Sequence, residues 1–362
     1  MAVELRAFSG LDGSPVRRLR YSKLEWSDSV NEAGSLTATV VDRGDVDQAA
    51  QLRPYGTVLA AIDGATVLHA GYVTGLKHDR ASGSWEVTAG GGSTVLSKRL
   101  VLNRNLMTKW ADGTVLIDED NPPGDWVLTA TGSYSDLISA LVSETEAWGQ
   151  LPIDPAAATG GDKTRTWDSW DLATVADRIS DIGDLESGPE WRFDPYLTSA
   201  GSLRFRQVTS ADGGEIVDHE WAWSAVVPGS GVSLGDEDLD GSELTSARYL
   251  TGGKDEDRLL VAHSVGTSLT SAGWPLLQTA DTSHSQVSVL ATLQAYARAA
   301  VAAGDSASLT TEVRVPAALP VHVGDHADVR WGTGAGDVLA LKVTDVRCSA
   351  GDATQTLGCR GR

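Results

Sequence analysis

Short runs of alternating hydrophobic and polar residues make up most of the chain, and turn residues bound each run. In SLTATVV, residues 35–41, the side chains of Leu36, Ala38 and Val40 fall on one face. The same alternation recurs in three later runs, namely Val58, Ala60 and Ile62, then Leu203 and Phe205, then Leu339, Leu341 and Val343. A period of two residues is typical of β-strands that bury one face. The pattern therefore predicts a mainly β protein.

Three segments carry the helical period instead: SYSDLISALVSETEAW at 133–148, WDLATVADRISDIG at 170–183 and QVSVLATLQAYARAAVAAG at 286–304. Apolar residues recur in each at intervals of three or four, as in Leu172, Val175 and Ile179. A Ser/Asp cap opens the first segment, and Gly183 and Gly304 are suited to end the other two. We expect α-helices there, within α+β inserts in the β framework.

The two ends of the chain contain the same succession of motifs. SLTATV at 35–40 resembles SLTTEV at 308–313, LRPYGTVLAA at 52–61 resembles LPVHVGDHADV at 319–329, and AGYVTGL at 70–76 resembles ALKVTDV at 340–346. Ser35 thus matches Ser308, Gly56 matches Gly324 and Val73 matches Val343, at a nearly constant separation along the chain. Each copy holds a strand, a turn that enters a second strand, and two further strands. We interpret this as one small β-barrel that occurs twice.

The predicted fold class is therefore mainly β with α+β inserts, with two similar small β-barrels per chain and two intervening smaller domains. A chain of 362 residues is long enough for several such domains. The predicted domains are a first barrel at 1–105, an α+β domain at 106–210, a second barrel formed by 211–245 and 308–362, and an inserted α+β domain at 246–307.

The chain is acidic, since 49 Asp and Glu residues against 29 Lys and Arg residues give a net charge of −20. Such a surface repels nucleic-acid phosphates, and no basic patch with interleaved aromatic residues occurs, so sequence-specific nucleic-acid binding is not expected. No apolar run approaches the roughly 20 residues that span a bilayer. The N-terminal MAVELRAFSGLDG has no basic-then-apolar signal pattern. We therefore expect folding in a cytoplasm and no membrane span.

The stretch GSWEVTAGGGSTVLSKRLVLNR, residues 83–104, looks at first like a phosphate-binding loop. Such a loop needs the spacing G-x-x-x-x-G-K-[ST], so that backbone amides and a lysine surround the phosphates. Here Gly90, Gly91 and Gly92 are adjacent, and Lys98 lies six residues beyond the last of them. We interpret the glycines as a flexible turn at which a strand ends and the chain changes direction.

Two adjacent motifs suggest chemistry on first reading. GVSLG fits the nucleophile-elbow pattern around Ser233, but the strand breakers VVPGSG precede it and the acidic run DEDLDG follows it. In DEDLDG, Asp236, Asp238 and Asp240 could converge on one calcium ion, but the bidentate Glu of an EF-hand loop would fall on Ala247. We interpret the first motif as a chance match and the second as a solvated acidic turn.

The remaining candidates also lack the spacing of a known site. His322 and His326 in HVGDH have no partners for a zinc site, and we interpret them as surface polar residues beside a turn. Cys348 and Cys359 cannot build a disulfide framework or a zinc ribbon, and we interpret them as two small reduced residues. No pair of carboxylates stands out for glycoside cleavage. We predict no catalytic, cofactor-binding or metal-binding residue, and no cofactor.

Tryptophan is unusually frequent, with twelve residues against seven Tyr and three Phe. Because Trp stacks on sugar rings, glycan binding is an alternative interpretation. Many of these residues lie in strand or helix patterns, where burial in a core or a subunit interface is the default. Examples are Trp85, Trp170, Trp191, Trp221, Trp223 and Trp331.

Taken together, these patterns resemble the hub proteins of bacteriophage tails. SLTATVVD and LRPYGTVLAAIDGATVLHAGYVTGLKHD resemble the strand, turn and hairpin of the opening domain of that family. TAGGGSTVLSKRLV resembles the segment with which the chain leaves that domain, and Leu96 and Arg99 match the Leu and Arg of that segment in the family. VPAALPVHVGDHADVRW resembles the second barrel. The family includes the contractile-tail baseplate hub, the N-terminal part of siphophage tail-associated lysins and minor tail proteins of phages that infect actinobacteria.

The resemblance implies a structural virion protein at the tail tip, made in the host cytoplasm. Three chains with two barrels each would form a homotrimeric ring that matches a six-fold tail tube and provides the channel for genome ejection. The implied partners are the other copies, the distal tail protein or tail tube above, the tape-measure protein C-terminus in the lumen, and other tail-tip or fibre proteins below. DNA would be present only in transit.

Two further functions stay open at this point. Many tail-associated lysins continue into a hydrolase or fibre domain, whereas this chain stops at Arg362, so we expect no enzyme. The main alternative is a cell-wall glycan-binding or glycan-cleaving tail-associated protein, which the Trp count and the acidic residues suggest. An esterase built on Ser233 is a third interpretation.

Overall fold

The computed structural model of the chain describes residues 3–41, 52–109, 123–255, 258–285, 287–334 and 336–362. The strands in these ranges are β1 Glu4–Ser9, β2 Pro15–Leu19, β3 Tyr21–Ser29, β4 Ser35–Val41, β5 Thr57–Asp63, β6 Thr66–Asp79, β7 Ser84–Gly90, β8 Val127–Gly132, β9 Ile153–Asp154, β10 Lys163–Asp168, β11 Trp191–Leu197, β12 Leu203–Thr209, β13 Glu220–Ser224, β14 Ser233–Asp240, β15 Ala247–Asp255, β16 Arg258–Val265, β17 Gln278–Asp281, β18 Ser308–Pro316, β19 His326–Arg330, β20 Val338–Ser349 and β21 Thr354–Gly361. The α-helices are α1 Leu106–Lys109, α2 Tyr134–Ala147, α3 Val175–Gly183, α4 Ser268–Ser271 and α5 Leu290–Ala303. Within the described ranges, none of these helices has the length and apolar character needed to cross a membrane.

Thirteen strands form one continuous sheet. Its order is β14-β18-β21-β20-β3-β4-β7-β6-β5-β1-β2, with β19 paired to β20 and β13 paired to β19. We call β1 to β7 the first half of this sheet, and β13, β14 and β18 to β21 the second half. Three smaller sheets hold the other strands: β8 with β10, then β9 with β11 and β12, then β15 with β16 and β17. The predicted mainly β fold with α+β inserts is confirmed.

The two halves repeat the same six-strand order. β3-β4-β7-β6-β5-β1 in the first half corresponds to β14-β18-β21-β20-β19-β13 in the second. A β-bulge between Val73 and Gly75 in the β6–β7 ladder recurs between Val343 and Asp345 in the β20–β21 ladder. This shared bulge aligns Val343 with Val73, as the sequence comparison does. The halves differ at one end, where β1 is antiparallel to β5 but β13 is parallel to β19.

The pairing of the strands shifts one of the sequence correspondences by two residues. Ala89 and Cys359 take the same place opposite the two bulged strands. Leu36 pairs with Ala89, and Thr311 pairs with Cys359, so Leu36 corresponds to Thr311. The sequence motifs instead match Leu36 with Leu309. Because side chains in a strand alternate with a period of two, this shift keeps the same face toward the core. The sequence pattern alone therefore cannot detect the shift.

Neither half closes into a separate barrel within the described residues. Strand β3 bonds to β4 along one edge and to β20 along its other edge. The edge that would close the first half therefore joins it to the second half instead. Each half keeps its own apolar core, which includes Leu24 and Val87 in the first and Val313 and Leu357 in the second. The two similar barrels are thus open and share one sheet.

The first half also packs against the insert that contains α2 and α3. Ala60 and Ile62 of β5 belong to one core with Leu137 of α2 and Ile179 of α3. Ala61, between them in sequence, belongs to the core of the first half. Strand β5 is therefore buried on both faces, and this burial fixes the insert against the sheet.

The predicted helices are present, with shorter bounds. The cap of α2 is reciprocal: the Ser133 hydroxyl accepts from the Asp136 amide over 3.2 Å, and the Asp136 carboxylate accepts from the Ser133 amide over 3.0 Å. The helix predicted at 286–304 begins at Leu290, and Gly304 caps its C-terminal end, as the sequence indicates.

The helix predicted at 170–183 begins later than its apolar pattern suggests. Leu172 adopts a left-handed backbone with φ of 51° and is 55% exposed. The helix starts only at Val175, because the hydroxyl of Thr174 accepts from the Asp177 amide and caps it. The polar cap determines the start of this helix.

The glycines at the end of β7 and directly after it form a close-packed turn rather than a flexible one. A Cβ on Gly90 would lie 2.2 Å from the Thr94 hydroxyl, and a Cβ on Gly92 would lie 2.5 Å from the Phe205 ring. Real Cβ atoms do not approach other atoms so closely, so a side chain at Gly90 would displace Thr94 and one at Gly92 would displace Phe205. The stretch has an architectural role, since it lets the chain pass tightly beneath the insert.

Candidate assembly site

A five-residue strand pair joins the two halves of the sheet, and we call it the seam. Glu25–Ser29 of β3 run antiparallel to Asp345–Ser349 of β20, with Ser29 directly opposite Asp345. The Ser29 hydroxyl also donates to the Asp345 carboxylate over 3.2 Å. Main-chain hydrogen bonds therefore hold one repeat of the chain against the other.

Apolar side chains cover the seam on its core side. Trp26 lies opposite Cys348, and Cys348 packs against the cores of both halves. Burial, followed by the negative charges of Asp28 and Asp345, raises the pKa of the Cys348 thiol to about 12. Burial and then Asp345 raise the pKa of Cys359 to about 12 as well. Both cysteines are free and stay protonated near neutral pH, so they act as small apolar packing residues.

A buried lysine connects the second half to the segment that precedes it. Lys342 of β20 is 1% exposed, and its ammonium group bonds to the carboxylate of Glu190 and, over 2.8 Å, to that of Glu215. The other oxygen of Glu215 lies 2.9 Å from Nε2 of His326. Burial raises the pKa of Glu215, but the hydrogen bonds from Lys342 and His326 outweigh burial and hold that pKa below its usual value. An ionised Glu215 is therefore part of the folded structure.

A second ion cluster surrounds Arg192 of β11. Its guanidinium donates to Asp194 over 2.7 Å, to Asp218 over 2.5 Å and to the Val323 carbonyl over 2.9 Å. Burial lowers the pKa of Arg192, but the two carboxylates outweigh burial and raise it. Asp218 also lies 3.1 Å from Nδ1 of His322. The cluster ties the β11–β12 insert to the loop that enters β19.

Asp325 organises the turn before β19 from the inside. Its side chain has no exposed surface, and it accepts from the amides of His219 and His322 over 2.9 and 3.0 Å and from the Trp221 indole over 2.8 Å. The histidines of HVGDH are predicted from the sequence to be surface residues: the side chain of His322 is 52% exposed, as expected, but that of His326 is only 15% exposed, so the prediction is wrong for His326. The buried carboxylate of Asp325 serves as the hydrogen-bond acceptor for backbone amides that would otherwise be unsatisfied in this turn.

A cleft of about 350 Å³ lies beside the seam and is lined by both halves of the sheet and by β11. His69 forms part of its wall; the residue is 2% exposed, and its Nδ1 lies 2.8 Å from the Asp28 carboxylate. Arg192 and His322 face the same cleft. Across the described ranges, no three His, Cys, Asp or Glu side chains are grouped as metal ligands. In the wall of the cleft, Asp28 pairs with His69 and Asp194 with Arg192, whereas the buried Nε2 of His69 has no hydrogen-bond partner among the described residues.

The two motifs that suggest chemistry in the sequence lie on one exposed strand. Ser233 is the first residue of β14, so no strand directly precedes it and no helix follows it as a nucleophile elbow requires. Asp236, Asp238 and Asp240 share a face of the extended strand, rather than forming the predicted turn, and neighbours on that face are about 7 Å apart. The amide and hydroxyl of Ser242 bond to Asp240 over 2.8 and 2.9 Å and lower its pKa. The carboxylates face solvent.

The Trp residues divide between core and surface. In the described ranges, the buried ones are Trp26, Trp126, Trp167 and Trp191, and the most exposed are Trp170, Trp274 and Trp331. None of the three exposed residues lines the cleft. The high Trp count therefore reflects packing in part, and the exposed indoles lie at separate places on the surface.

No family model and no curated protein matches the sequence. Solved structures do match: the tail protein from Neisseria meningitidis (14% identity, TM-score 0.57, 99% of this chain and 96% of that one) and the 43 kDa tail protein of prophage MuSo2 from Shewanella oneidensis (10% identity, TM-score 0.56, 99% and 98%). This is the fold of phage tail proteins. A component of the Escherichia coli type VI secretion system, described as similar to the phage T4 tail proteins gp27 and gp5, also matches (11% identity, TM-score 0.50, 100% and 77%).

The tail-protein fold confirms the resemblance found in the sequence at the level of the fold. The match extends over nearly the whole chain, so it includes both halves of the large sheet and both inserts. At 10 to 14% identity, individual side chains cannot be assigned from these neighbours. The seam, the two ion clusters and the exposed β14 are therefore described from this chain alone.

Proposed function

We propose that the chain is a structural virion protein, a minor tail protein that forms the hub of a siphophage tail tip as a homotrimeric ring. The observation that carries the proposal is the six-strand motif that occurs twice in one sheet with the same bulge. Three copies would present six similar units, which can dock on a six-fold tail tube without a symmetry mismatch. The tail-protein fold supports a place in the virion.

In the proposed ring, residues 1–105 and residues 211–245 with 308–362 form the six repeated units. Residues 106–210 and 246–307 form the two other domains and decorate or close the ring. The division is supported by the sheets: the strands of the large sheet all fall in the first two parts, and those of the three smaller sheets fall in the other two.

The proposed partners lie above, within and below the ring. The distal tail protein or tail tube binds above, other tail-tip or fibre proteins bind below, and the tape-measure protein C-terminus occupies the lumen before ejection. The net charge of −20 supports a channel through which DNA passes. DNA binds basic surfaces through phosphate contacts and counterion release, so a wall without excess positive charge lets it slide.

The proposed role is mechanical rather than enzymatic. Ser233 begins an exposed strand and lacks the elbow geometry, and the carboxylates of the partly buried Glu190 and the buried Asp325 bond to groups of the protein itself. Groups that are already paired in this way belong to the folded structure, since removal of one partner would leave a buried group unpaired. The chain thus offers a scaffold for assembly.

Native mass spectrometry over a range of concentrations tests the proposed stoichiometry. We expect monomers and trimers, with trimers increasing as the concentration rises, because a closed ring is the only species in which every interface is made. A closed species of two, four or six copies as the main assembly would contradict the proposal.

A further inference from the structure

The seam within one chain has an unused counterpart on the same chain. The seam joins β3, which stands at one end of the six-strand order of the first repeat, to the C-terminal part of β20 in the second repeat. By the repeat, β14 corresponds to β3 and β6 corresponds to β20. The second repeat therefore has its own version of the β3 edge, and the first repeat has its own version of the β20 edge.

The ladder registers identify the counterpart residues. As shown above, Leu36 corresponds to Thr311. Trp26 is the partner of Leu36 on the neighbouring strand, and Glu237 is the partner of Thr311. Trp26 therefore corresponds to Glu237. The seam residues 25–29 thus correspond to 236–240. Since the shared bulge aligns Val343 with Val73, the seam residues 345–349 correspond to 75–79.

Both counterpart segments have a free edge in the part of the chain that the structure describes. β14 pairs with β18 along one edge, and Leu239, near its C-terminal end, is 68% exposed. Residues 75–79 pair with β7 along one edge, whereas the pairing of β6 with β5 ends at Tyr72. The side chain of Lys77 is 84% exposed. A free strand edge offers unpaired backbone groups to another chain.

We propose that residues 236–240 of one copy pair antiparallel with residues 75–79 of a second copy, in the register of the seam. The partner is thus a second copy of this chain, and the inference rests on the proposed ring, for which it names the interface. The intramolecular seam shows that strands with this connectivity pair in this way. Each copy would give β14 to one neighbour and accept β14 of the other on β6.

The side chains that this register brings together are complementary. Lys77 would lie opposite Asp238, Leu76 opposite Leu239, and His78 opposite Glu237. Directly opposed residues of an antiparallel pair contact each other, and pairs of opposite charge or of two apolar residues stabilise it. One opposed pair, Asp79 with Asp236, is unfavourable, and it lies at the end of the ladder.

The acidic face of β14 also limits the alternatives. Two β14 edges placed against each other would bring Asp236, Asp238 and Asp240 of both copies together, and like charges opposite each other are destabilising. The interface is therefore directional, from an acidic strand to a segment that carries a lysine. A directional contact makes a ring when the rotation closes, and a filament when it does not.

Cysteine cross-linking of the full chain tests the register. Lys77→Cys and Asp238→Cys are introduced together, and the purified protein is oxidised at high concentration. We expect covalent dimers and trimers on non-reducing gels, because opposed residues lie within disulfide reach. The matched control combines Lys77→Cys with Glu237→Cys, whose side chain points to the other face of β14. The native chain shows the background from its own cysteines, the partly buried Cys348 and the buried Cys359.

Selective cross-linking of the first variant supports the interface. Equal cross-linking of both variants, or cross-linking of neither, would overturn it. So would efficient cross-linking in a third variant, Asp238→Cys with Arg17→Cys, because Arg17 lies in β2, which pairs only with β1 among the described strands. The native mass of the unmodified chain separates this result from the proposed function: a trimer without the selective cross-link would leave the ring but reject this interface. As a second readout, Lys77→Glu and Asp238→Lys should each weaken association about tenfold, and the double variant should recover it.

Discussion

Replacement of Lys342 by methionine tests whether the buried ion cluster holds the second half of the sheet in place. Methionine keeps the length of the side chain but removes the charge that compensates Glu190 and Glu215. Loss of one partner from a buried ion pair costs about 3–5 kcal/mol, because the remaining charge stays buried and unpaired. The side chain of Glu190 is 12% exposed, whereas that of Glu215 is 42% exposed and can recover water. We therefore expect a loss of about 3 kcal/mol, at the lower end of that range.

The loss is measured by urea and thermal denaturation of the monomer. For a chain of this size, 1 kcal/mol corresponds to about 2 °C, so the melting temperature should fall by about 6 °C. The matched control is Lys77→Met, since the Lys77 side chain is 84% exposed and its ammonium lies 3.9 Å from Glu86; we expect a change of about 0–1 kcal/mol there. Addition of Glu190→Gln to Lys342→Met should recover part of the loss. Equal stability of the Lys342→Met chain and the native chain would refute the reasoning.

Three further predictions concern pH, packing and chemistry. The pKa of Glu215 is lower in the folded chain than in the unfolded chain, so its stabilising contribution is present above the unfolded pKa and is lost as the pH falls through the folded pKa. Urea midpoints measured from about pH 6 to about pH 3 should therefore fall more steeply for the native chain than for Glu215→Gln. Parallel curves for the two proteins would contradict this. Gly92→Ala places a Cβ 2.5 Å from the Phe205 ring and should destabilise by about 1–3 kcal/mol, whereas Gly124→Ala, with open space around its Cβ, should change little; equal effects would reject the packing argument. A peptidoglycan zymogram should show no clearing by the native chain or by Ser233→Ala, and clearing that disappears in the variant would establish a hydrolase.

The repeat could be predicted from the sequence because its strands are bounded by turns in the same order in both copies. The seam could not, because the residues that pair across it are far apart in sequence and include a Cys and three Ser residues with no distinctive pattern. The exposed strand β14 could not be predicted from the sequence either, because DEDLD has few β-forming residues. The segment is extended because it pairs with β18.

The ion clusters could not be predicted for a different reason. A lysine within an alternating strand normally points to solvent, and Lys342 alternates with Leu341 and Val343 in that way. A signal was nevertheless present, because the alignment of ALKVTDV with AGYVTGL places Lys342 at the position of Tyr72, which is completely buried. An aromatic residue at the equivalent place of one repeat indicates that the position is covered in both. The acidic partners Glu190 and Glu215 come from other segments, and sequence spacing does not relate them to Lys342.

Electron cryomicroscopy of the tail tip of the source particle tests the central claim most directly. We predict three copies of the chain in a ring beneath a six-fold tail tube, with the two repeats of each copy at quasi-equivalent positions and a channel wall without an excess of Lys and Arg. A tail tip with any other copy number, a location outside the tip, or a channel lined mainly by Lys and Arg would contradict it.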